Sequence, residues 1–539
     1  MPGFTPTRRF LTRATLGAAL AGTTWLEAAL AQGASGQTLP GGGKRLRIGM
    51  AAPNTTLDPH FQSNAPNNAV ASHIFDALVT NDPASRSLPG LAESWTAESD
   101  TRWVLKLRQG VTFTDGSPFT AEDAMVSLRR ANDLPSTASF RTYTRSIKTM
   151  TAPDPHTLVI ETDGPDPLLP NSLSRIRIIR ASAKDATTPQ FNDGSGAIGT
   201  GPFVLKQYTP GSRILLARNP TWWGGQLPWE EVLLVPATDD GGRLASLLSG
   251  DFDIIEAVPS QSTGRVKENP RFQLIRGISS RVVYLSMDQH RDVTPFITDR
   301  AGKPLAKNPL KDARVRQALS LAISRQAIAD RVMEGDAVPA SQLLPKGAAG
   351  TSDALAVPAY DPNRAKALLA EAGYAEGFRM TIHGPNDRYI NDAKIVQAVA
   401  QMFTRIGIET TADVMPWSVY AARSSRSEFS FNLGAWGVNT GETSNPLKAL
   451  LATRDAKAGM GASNNGQYSN PELDKRLQEA LRTMDDAARN KLLAEASEIA
   501  FRDFAILPLH HEVSVWAGRQ GITYATRADQ YTLAVGVGG

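Results

Sequence analysis

The sequence predicts an α/β protein with mixed sheets, built as two or more lobes. Strand-like and helix-like stretches alternate along the chain, and this interleaving is typical of α/β folds. With 539 residues, the chain is too long for a single hydrophobic core. Its apolar content of 41% and charged content of 20% are typical of a folded globular protein.

The N-terminus has the pattern of an export signal. Three basic residues, Arg8, Arg9 and Arg13, precede a mildly apolar stretch rich in Ala, Gly and Thr. Residues 29–31, Ala-Leu-Ala, form a small-residue cleavage site, and residues 7–11 resemble the twin-arginine signal.

We therefore expect residues 1–31 to be a twin-arginine-type signal peptide and residues 32–44 to be a glycine-rich linker. An anchoring helix is the alternative, but Glu27 and the Gly/Thr content disfavour it, because charges are costly in a bilayer. No later stretch has 18 uninterrupted apolar residues. The chain contains no cysteine, which excludes a lipidated cysteine, disulfides, thiolate catalysis and cysteine-ligated zinc. We expect a soluble periplasmic protein without a lipid anchor.

Residues 102–131 give the clearest local prediction, a strand followed by a turn and a capped helix. An alternating strand is followed by the tight-turn dipeptide Asp115-Gly116. Thr120 then precedes Asp123 by three residues, which predicts a capping box at the start of a helix. The acidic residues Asp115, Glu122 and Asp123 are explained by the turn and the cap rather than by catalysis.

The other elements follow from apolar periodicity and turn residues. Strands are expected at 46–53, 156–162, 199–220 (two strands), 251–258, 281–287 and 506–517. Helices are expected at 71–80, 243–250, 312–333, 363–374, 391–407 and 470–484.

No catalytic or metal-binding constellation can be read from the sequence. Residues 194–196, Gly-Ser-Gly, lack the spacing of a nucleophile elbow, and residues 196–202 lack the lysine of a phosphate loop. The seven histidines form no i, i+4 ligand pair, and the neighbours His510 and His511 would face opposite sides of a strand. There is also no basic run of the kind that nucleic acid requires. We expect a binding protein without enzymatic activity, cofactor or metal.

Several stretches match one family of exported binding proteins. They include TLDPH (56–60), WVLKLRQGVTFTDGSPFTAEDA (103–124), GTGPFVLKQYTPG (199–211) and ARNPTWWGG (217–225). In these motifs the chain resembles the extracytoplasmic solute-binding proteins of peptide-type ABC importers (family 5), and the matching segments span about residues 46–517.

The resemblance implies a two-lobed periplasmic-binding-protein fold of the large, three-subdomain type, with mixed sheets and a two-strand hinge. Lobe I would comprise residues 45–283 and 512–539, with an inserted subdomain at about 81–194. Lobe II would comprise residues 284–511. The lobes would close on the ligand by rotating about the hinge.

The resemblance also implies a role in transport. Such a protein captures a peptide or peptide-like solute and delivers it to an inner-membrane ABC permease with its ATPase subunits. The alternative keeps the fold and the transport role but has a non-peptide ligand: an opine-like conjugate, an oligosaccharide or a nickel complex. A monomer that binds no nucleic acid is expected.

In the dipeptide-binding members of this family, an arginine in a P-x-x-R segment pairs with the ligand's terminal carboxylate. Residues 385–388 match that segment, so the resemblance assigns this role to Arg388. A guanidinium grips a carboxylate with two parallel hydrogen bonds. The alternative is that Arg388 pairs internally with Asp387 or Asp392.

In the same members, an aspartate three residues after a tryptophan holds the ligand's α-amino group. That tryptophan is Trp436 here, but the third residue beyond it is Asn439. Asparagine cannot neutralise an ammonium, and an unpaired buried charge is costly. Either Glu442 supplies the missing carboxylate, or the natural ligand lacks a free α-ammonium.

Trp417 matches a family tryptophan that lines the pocket for ligand side chains. Aromatic walls bind varied groups through contact area and stacking. The alternative is a tryptophan in the hydrophobic core. Residues 54–58 match the first loop that faces the cleft, but there we expect a structural role only.

Overall fold

The computed structural model describes residues 44–438 and 440–539. The expected signal peptide, nearly all of the expected linker, and Asn439 lie outside the described residues. Within the described part, no helix is long and apolar enough to cross a membrane.

The largest element is a mixed sheet of twelve strands. Ten strands form its main path, in the order Ile297–Thr298, Arg379–Pro385, Phe431–Gly437, Phe272–Met287, Leu507–Arg519, Ile254–Ile255, Arg45–Met50, Glu231–Pro236, Arg213–Arg218 and Phe203–Thr209. Two further strands pair beside this path: Ala337–Pro339 with Leu507–Arg519, and Glu409–Met415 with Arg379–Pro385. Parallel and antiparallel pairs coexist, so the predicted α/β class with mixed sheets is confirmed.

Two long strands, Phe272–Met287 and Leu507–Arg519, run antiparallel through the middle of this sheet. Their register shifts between Ile278 and Val282. Beyond that shift, the first long strand also pairs with Phe431–Gly437, so its two halves belong to different parts of the sheet. The sequence predicted only the second half, residues 281–287, as a strand.

The buried side chains form separate cores on the two sides of this shift. Three clusters draw their fully buried members from residues 46–272 and 513–537. Three others draw theirs from residues 282–509. Because no cluster mixes the two sets, the chain has at least two independent hydrophobic cores, as its length predicted.

A separate four-stranded antiparallel sheet precedes and follows the predicted capped helix. Its strands, in spatial order, are Ala92–Ser99, Arg102–Leu107, Thr157–Thr162 and Ile147–Asp154. Two short hairpins complete the strands: Val79–Asn81 with Ser87–Pro89, and Thr523–Tyr524 with Val537–Gly538.

The capping box at Thr120 is confirmed. The Asp123 carboxylate accepts from the Thr120 backbone N–H at 2.8 Å, and the helix runs Ala121–Asp133. Asp115 accepts from the Ser117 backbone N–H at 3.0 Å and pairs with Arg180. Both carboxylates have the structural roles expected from the sequence.

The helices pack against the strands of both sheets and against one another. The α-helices of at least five residues are Ala65–Ile74, Ala121–Asp133, Leu169–Leu173, Thr188–Asn192, Asp240–Ser249, Thr263–Lys267, Ala313–Ala322, Pro362–Glu371, Asp392–Arg405, Trp417–Ser425, Pro471–Ala480 and Asp486–Arg502. The longest of them, Asp486–Arg502, was not predicted.

Two helix predictions are wrong in extent. The segment 312–333 is not one helix, because the α-helix ends at Ala322 and Ser324 caps a second turn. The buried Arg325 guanidinium donates to the Pro508 and Ser320 carbonyls at this break. The helix expected at 71–80 runs instead from Ala65 to Ile74, capped by Asn64.

Residues 196–202 make the close backbone approach that the sequence predicted. A Cβ at Gly199 would overlap the carbonyl oxygen of Ile74, and a Cβ at Gly201 would overlap the same peptide group. Only glycine fits where two backbone segments touch in this way.

Candidate ligand-binding cleft

A cavity of about 400 Å³ lies beside the register shift of the two long strands. Its lining residues come from both parts of the chain that hold the separate cores. From one side come residues 63–65, 68, 143 and 528–531; from the other come 388–389, 417 and 435–437; residues 280–281 lie between them. A concave site of this size, formed where two parts of a protein meet, is a common position for ligand binding.

Arg388 lies in the loop between the strand Arg379–Pro385 and the helix Asp392–Arg405. Its guanidinium carbon is 5.3 Å from the ring centroid of Trp417 and 5.7 Å from that of Tyr389. These contacts hold the cation against aromatic faces and leave its N–H groups for another partner.

Asp387 and Asp392, the two possible internal ion-pair partners of Arg388, accept hydrogen bonds from backbone N–H groups instead. Asp392 accepts from the backbone N–H groups of Arg388 and Tyr389, at 2.9 and 3.0 Å. Asp387 accepts from the backbone N–H of Trp417 at 2.7 Å. Neither carboxylate pairs with the guanidinium, so the alternative of an internal ion pair is not observed.

The other charged residues of the lining have ionic partners. Arg281 pairs with the buried Glu512 at 3.1 Å, and Asp529 pairs with Arg527 at 2.6 Å. Burial raises the pKa of Glu512, and the charges of Arg281 and Arg388 act against that rise. Among the charged lining residues that the structure describes, only Arg388 lacks an ion pair or a side-chain hydrogen bond.

Trp417 is the first residue of the helix Trp417–Ser425. Its side chain is 37% exposed and stacks on Tyr420, with ring centroids 5.8 Å apart. The alternative of a core tryptophan is therefore wrong, and the indole forms one wall of the cavity.

Trp436 lies on the strand Phe431–Gly437, where it pairs with Val282 of the first long strand. Its indole N–H donates to Asn445 at 2.9 Å, which fixes the orientation of the ring. The side chain is half-buried and lines the cavity beside Gly437. Residues 434–437 thus form the end of this strand, at the cavity wall.

The structure does not bring Glu442 to the described lining of this cavity. Glu442 is 4% exposed, and its Oε2 accepts from Nε of the buried Arg489 at 3.1 Å. Its other oxygen, Oε1, has no partner among the described residues. Asn439 is outside the described residues, so both candidates for the amine end stay predictions.

Sequence reasoning missed the contribution of the C-terminal segment 528–531. Asp529 accepts from the backbone N–H of Tyr531 at 3.0 Å, and the Tyr531 hydroxyl accepts from Asn68 at 3.2 Å. These contacts tie the C-terminal segment to the N-terminal wall of the cavity. The only signal in the sequence was the polar run 527–530, which resembles any surface turn.

A cleft between separate cores, lined by aromatic rings and one unpaired cation, defines a solute-binding protein. The described residues contain no group of three or more metal-ligating side chains that could hold an ion. Residues 87–458 match the family described as bacterial extracellular solute-binding proteins, family 5. The chain belongs to this family.

Relatives of known identity agree with that assignment. The glutathione-binding protein GsiB of Salmonella typhi is 27% identical over 476 residues, which cover 87% of this chain and 89% of the relative. The structure of HbpA2 from Haemophilus parasuis superposes with a TM-score of 0.80 at 22% identity, over 92% of this chain and 99% of HbpA2.

A third relative is the binding protein AgaA of A. tumefaciens R10, solved in complex with agropinic acid. It superposes with a TM-score of 0.69 at 25% identity, over 92% of this chain and 98% of AgaA. These likenesses confirm the predicted periplasmic-binding-protein fold.

Proposed function

We propose that this protein captures a peptide or peptide-like solute with a free carboxylate and delivers it to an ABC permease with its ATPase subunits. The capture step takes place in the cavity around Arg388, Trp417 and Trp436. The protein acts as a monomeric carrier, without catalysis of its own, after export to the periplasm by the twin-arginine-type signal of residues 1–31.

The unpaired Arg388 guanidinium is the observation that carries this proposal. Arg388 is exposed to solvent and forms no ion pair with the described residues, so its N–H donors are available to an anion that enters this aromatic site. The carboxylate would accept two parallel N–H bonds from the guanidinium, while Trp417 and Tyr389 cover its faces.

The separation of the hydrophobic cores supports closure of two lobes on this ligand. We assign residues 45–283 and 512–539 to lobe I, with an inserted subdomain at about 81–194, and residues 284–511 to lobe II. The buried clusters support a division close to these limits, because their buried members come either from residues 46–272 and 513–537 or from residues 282–509. Two connecting strands allow a rigid-body rotation, and a ligand that touches both lobes favours the closed form.

Two relatives indicate what kind of solute to test. GsiB is named for glutathione, a tripeptide, and AgaA was solved with agropinic acid. Both ligands are small anionic amino-acid derivatives, which agrees with a single unpaired cation in the lining. Oligosaccharides and nickel complexes remain the alternative ligand classes, and the unpaired arginine favours an anion over either of them.

A thermal-shift screen tests the proposal. Small peptides with a free C-terminal carboxylate should raise the melting temperature of the wild type, because a ligand that binds only the folded state stabilises it. The shift should disappear in Arg388→Ala and persist in the control Arg426→Ala, whose guanidinium pairs with Glu428 outside the cavity. Unchanged binding by Arg388→Ala would remove the carboxylate assignment.

A further inference from the structure

A second cavity, of about 340 Å³, lies on the other side of the cleft wall. Asp529 and Tyr531 line both cavities, so these two side chains form the partition between them. Most of the remaining lining comes from the N-terminal half of the chain, around residues 72–81, 174–177 and 222–224, and the C-terminal segment adds Arg527, Leu533 and Val535.

Three arginines line this cavity, and two of them lack partners. Arg527 pairs with Asp529 and donates to the Asn81 carbonyl at 3.2 Å. Arg175 is only 8% exposed, yet its Nε and Nη2 atoms have no hydrogen-bond partner among the described residues. The half-buried Arg177 guanidinium forms no hydrogen bond with a described residue; burial and the charges of Arg175 and Arg527 lower its pKa, while Tyr531 and Asp76 act against that fall.

Arg177 carries a full charge at neutral pH. Burial lowers the pKa of Arg177 to about 10, which is still far above neutrality. A buried guanidinium has five N–H donors and no acceptor, so only an anion or a set of carbonyls can satisfy it. Leaving such a group unpaired is strongly unfavourable, and the buried Arg175 is in this state.

The acidic residues of the lining do not satisfy these arginines. Asp529 is paired with Arg527, and Asp76 accepts from the Trp223 indole N–H at 2.7 Å and from Thr200 at 3.0 Å. Burial raises the pKa of Asp76 to about 6, so at neutral pH Asp76 still carries most of its negative charge, but the lining has three arginines against two carboxylates. The cavity therefore presents an excess of positive charge to whatever enters it.

The cavity also offers an acceptor. The Asn81 amide donates to Ser174 at 3.1 Å, while its Oδ1 atom is buried without a partner. An oxyanion that carries a hydroxyl, such as hydrogen phosphate, would accept from the arginines and donate to this oxygen.

We propose that this second cavity is a binding site for a compact oxyanion, a phosphate or a carboxylate, held by Arg175 and Arg177. The site does not use Arg388, which does not line it. The oxyanion has two possible sources, a free ion or an acidic group of the transported solute that reaches past the Asp529–Tyr531 partition.

The test is a titration of the full mature protein with inorganic phosphate at constant ionic strength, followed by calorimetry and by melting temperature. The wild type should show saturable heat and a rising melting temperature. Arg175→Met and Arg177→Gln should each weaken phosphate binding about tenfold or more, because each removes charge-assisted hydrogen bonds.

Arg180→Gln is the matched control. Arg180 follows in the same segment, pairs with Asp115 at 2.5 Å and does not line the cavity. Its removal should leave phosphate binding intact, and so should Arg388→Ala. If the cleft proposal is wrong, Arg388→Ala still binds peptide; if this proposal is wrong, Arg175→Met and Arg177→Gln bind phosphate as the wild type does. The two failures can therefore be distinguished.

A ligand role and a purely structural role for Arg175 also predict opposite stabilities. With no anion present, Arg175→Met should melt at or above the wild type, because it removes an unpaired buried charge. A variant that melts lower by the same amount with and without phosphate would show a structural arginine and would overturn the proposal.

A second arm identifies the source of the oxyanion. If phosphate has no effect, a dipeptide with an acidic side chain should lose more affinity in Arg175→Met than the matching neutral dipeptide. That result would assign the oxyanion to the transported solute. If neither phosphate nor the acidic dipeptide distinguishes Arg175→Met from the wild type, the proposal is wrong.

Discussion

Replacement of Asp58 by Ala tests the structural role assigned to residues 54–58. Both oxygens of the Asp58 carboxylate pair with Arg130, at 2.7 Å each, and both side chains are buried. Thr188 donates to the same carboxylate at 2.9 Å, and the His60 backbone N–H does so at 3.1 Å. This network joins the first loop to the capped helix Ala121–Asp133.

Loss of the carboxylate leaves the Arg130 guanidinium buried with only the Ala186 carbonyl and the His60 ring beside it. Breaking one partner of a buried ion pair destabilises a protein by about 3–5 kcal/mol, so Asp58→Ala should lower the free energy of unfolding by that amount. Burial pushes the pKa of Asp58 up, but Arg130 and the hydrogen bonds outweigh it and lower that pKa overall.

Urea denaturation, followed by circular dichroism, measures this loss as a shift of the midpoint at an unchanged slope. The control is Asp133→Ala, at the exposed end of the same helix, which should change the free energy of unfolding by less than about 0.5 kcal/mol. An Asp58→Ala loss below about 1 kcal/mol would refute the view that this pair holds the loop. Weakened ligand binding at full stability would instead move Asp58 into the site.

Two further outcomes are expected. Burial lowers the pKa of His73 and His511 to about 4 and that of His510 to about 3, against an ordinary value near 6.5. These histidines therefore contribute stability above pH 6.5, and that contribution is lost as the pH falls toward their folded-state pKa values. Each of these histidines should lower the free energy of unfolding by about 2 kcal/mol between pH 7.5 and pH 5. Buried acids with a raised pKa, such as Glu512, offset part of this loss. A urea midpoint that stays constant from pH 7.5 to pH 5 would contradict this prediction. The expectation that Asn439 faces the ligand's amino group is tested by Asn439→Asp, which should tighten binding of dipeptides with a free α-amino group by about tenfold or more. Calorimetry measures this against N-acetylated peptides, whose affinity should not rise.

The sequence predicted local units well because their causes are local. The Thr120 capping box needs only two side chains three residues apart, and the turn at Asp115 needs only the backbone N–H of Ser117. The break after Ala322 was not predictable, because it depends on carbonyl groups such as that of Pro508, which is distant in the sequence.

The site shows the same division. The family resemblance gave Arg388, Trp417 and Trp436, and the structure places all three around one cavity. The partition residues Asp529 and Tyr531 come from the C-terminal segment, and no local pattern connects them to Asn68. The unpaired nitrogens of Arg175 are likewise a property of the packed structure, since a sequence shows charges but not which of them have partners.

The central claim, that Arg388 holds a ligand carboxylate, is tested most directly by a thermodynamic cycle. Calorimetry would compare one peptide as free acid and as C-terminal amide, on the wild type and on Arg388→Ala. The account predicts that the wild type prefers the free acid by about tenfold or more and that this preference vanishes in the variant, because the two changes remove the same contact. Equal binding of acid and amide by the wild type, or a preference that survives in Arg388→Ala, would contradict it.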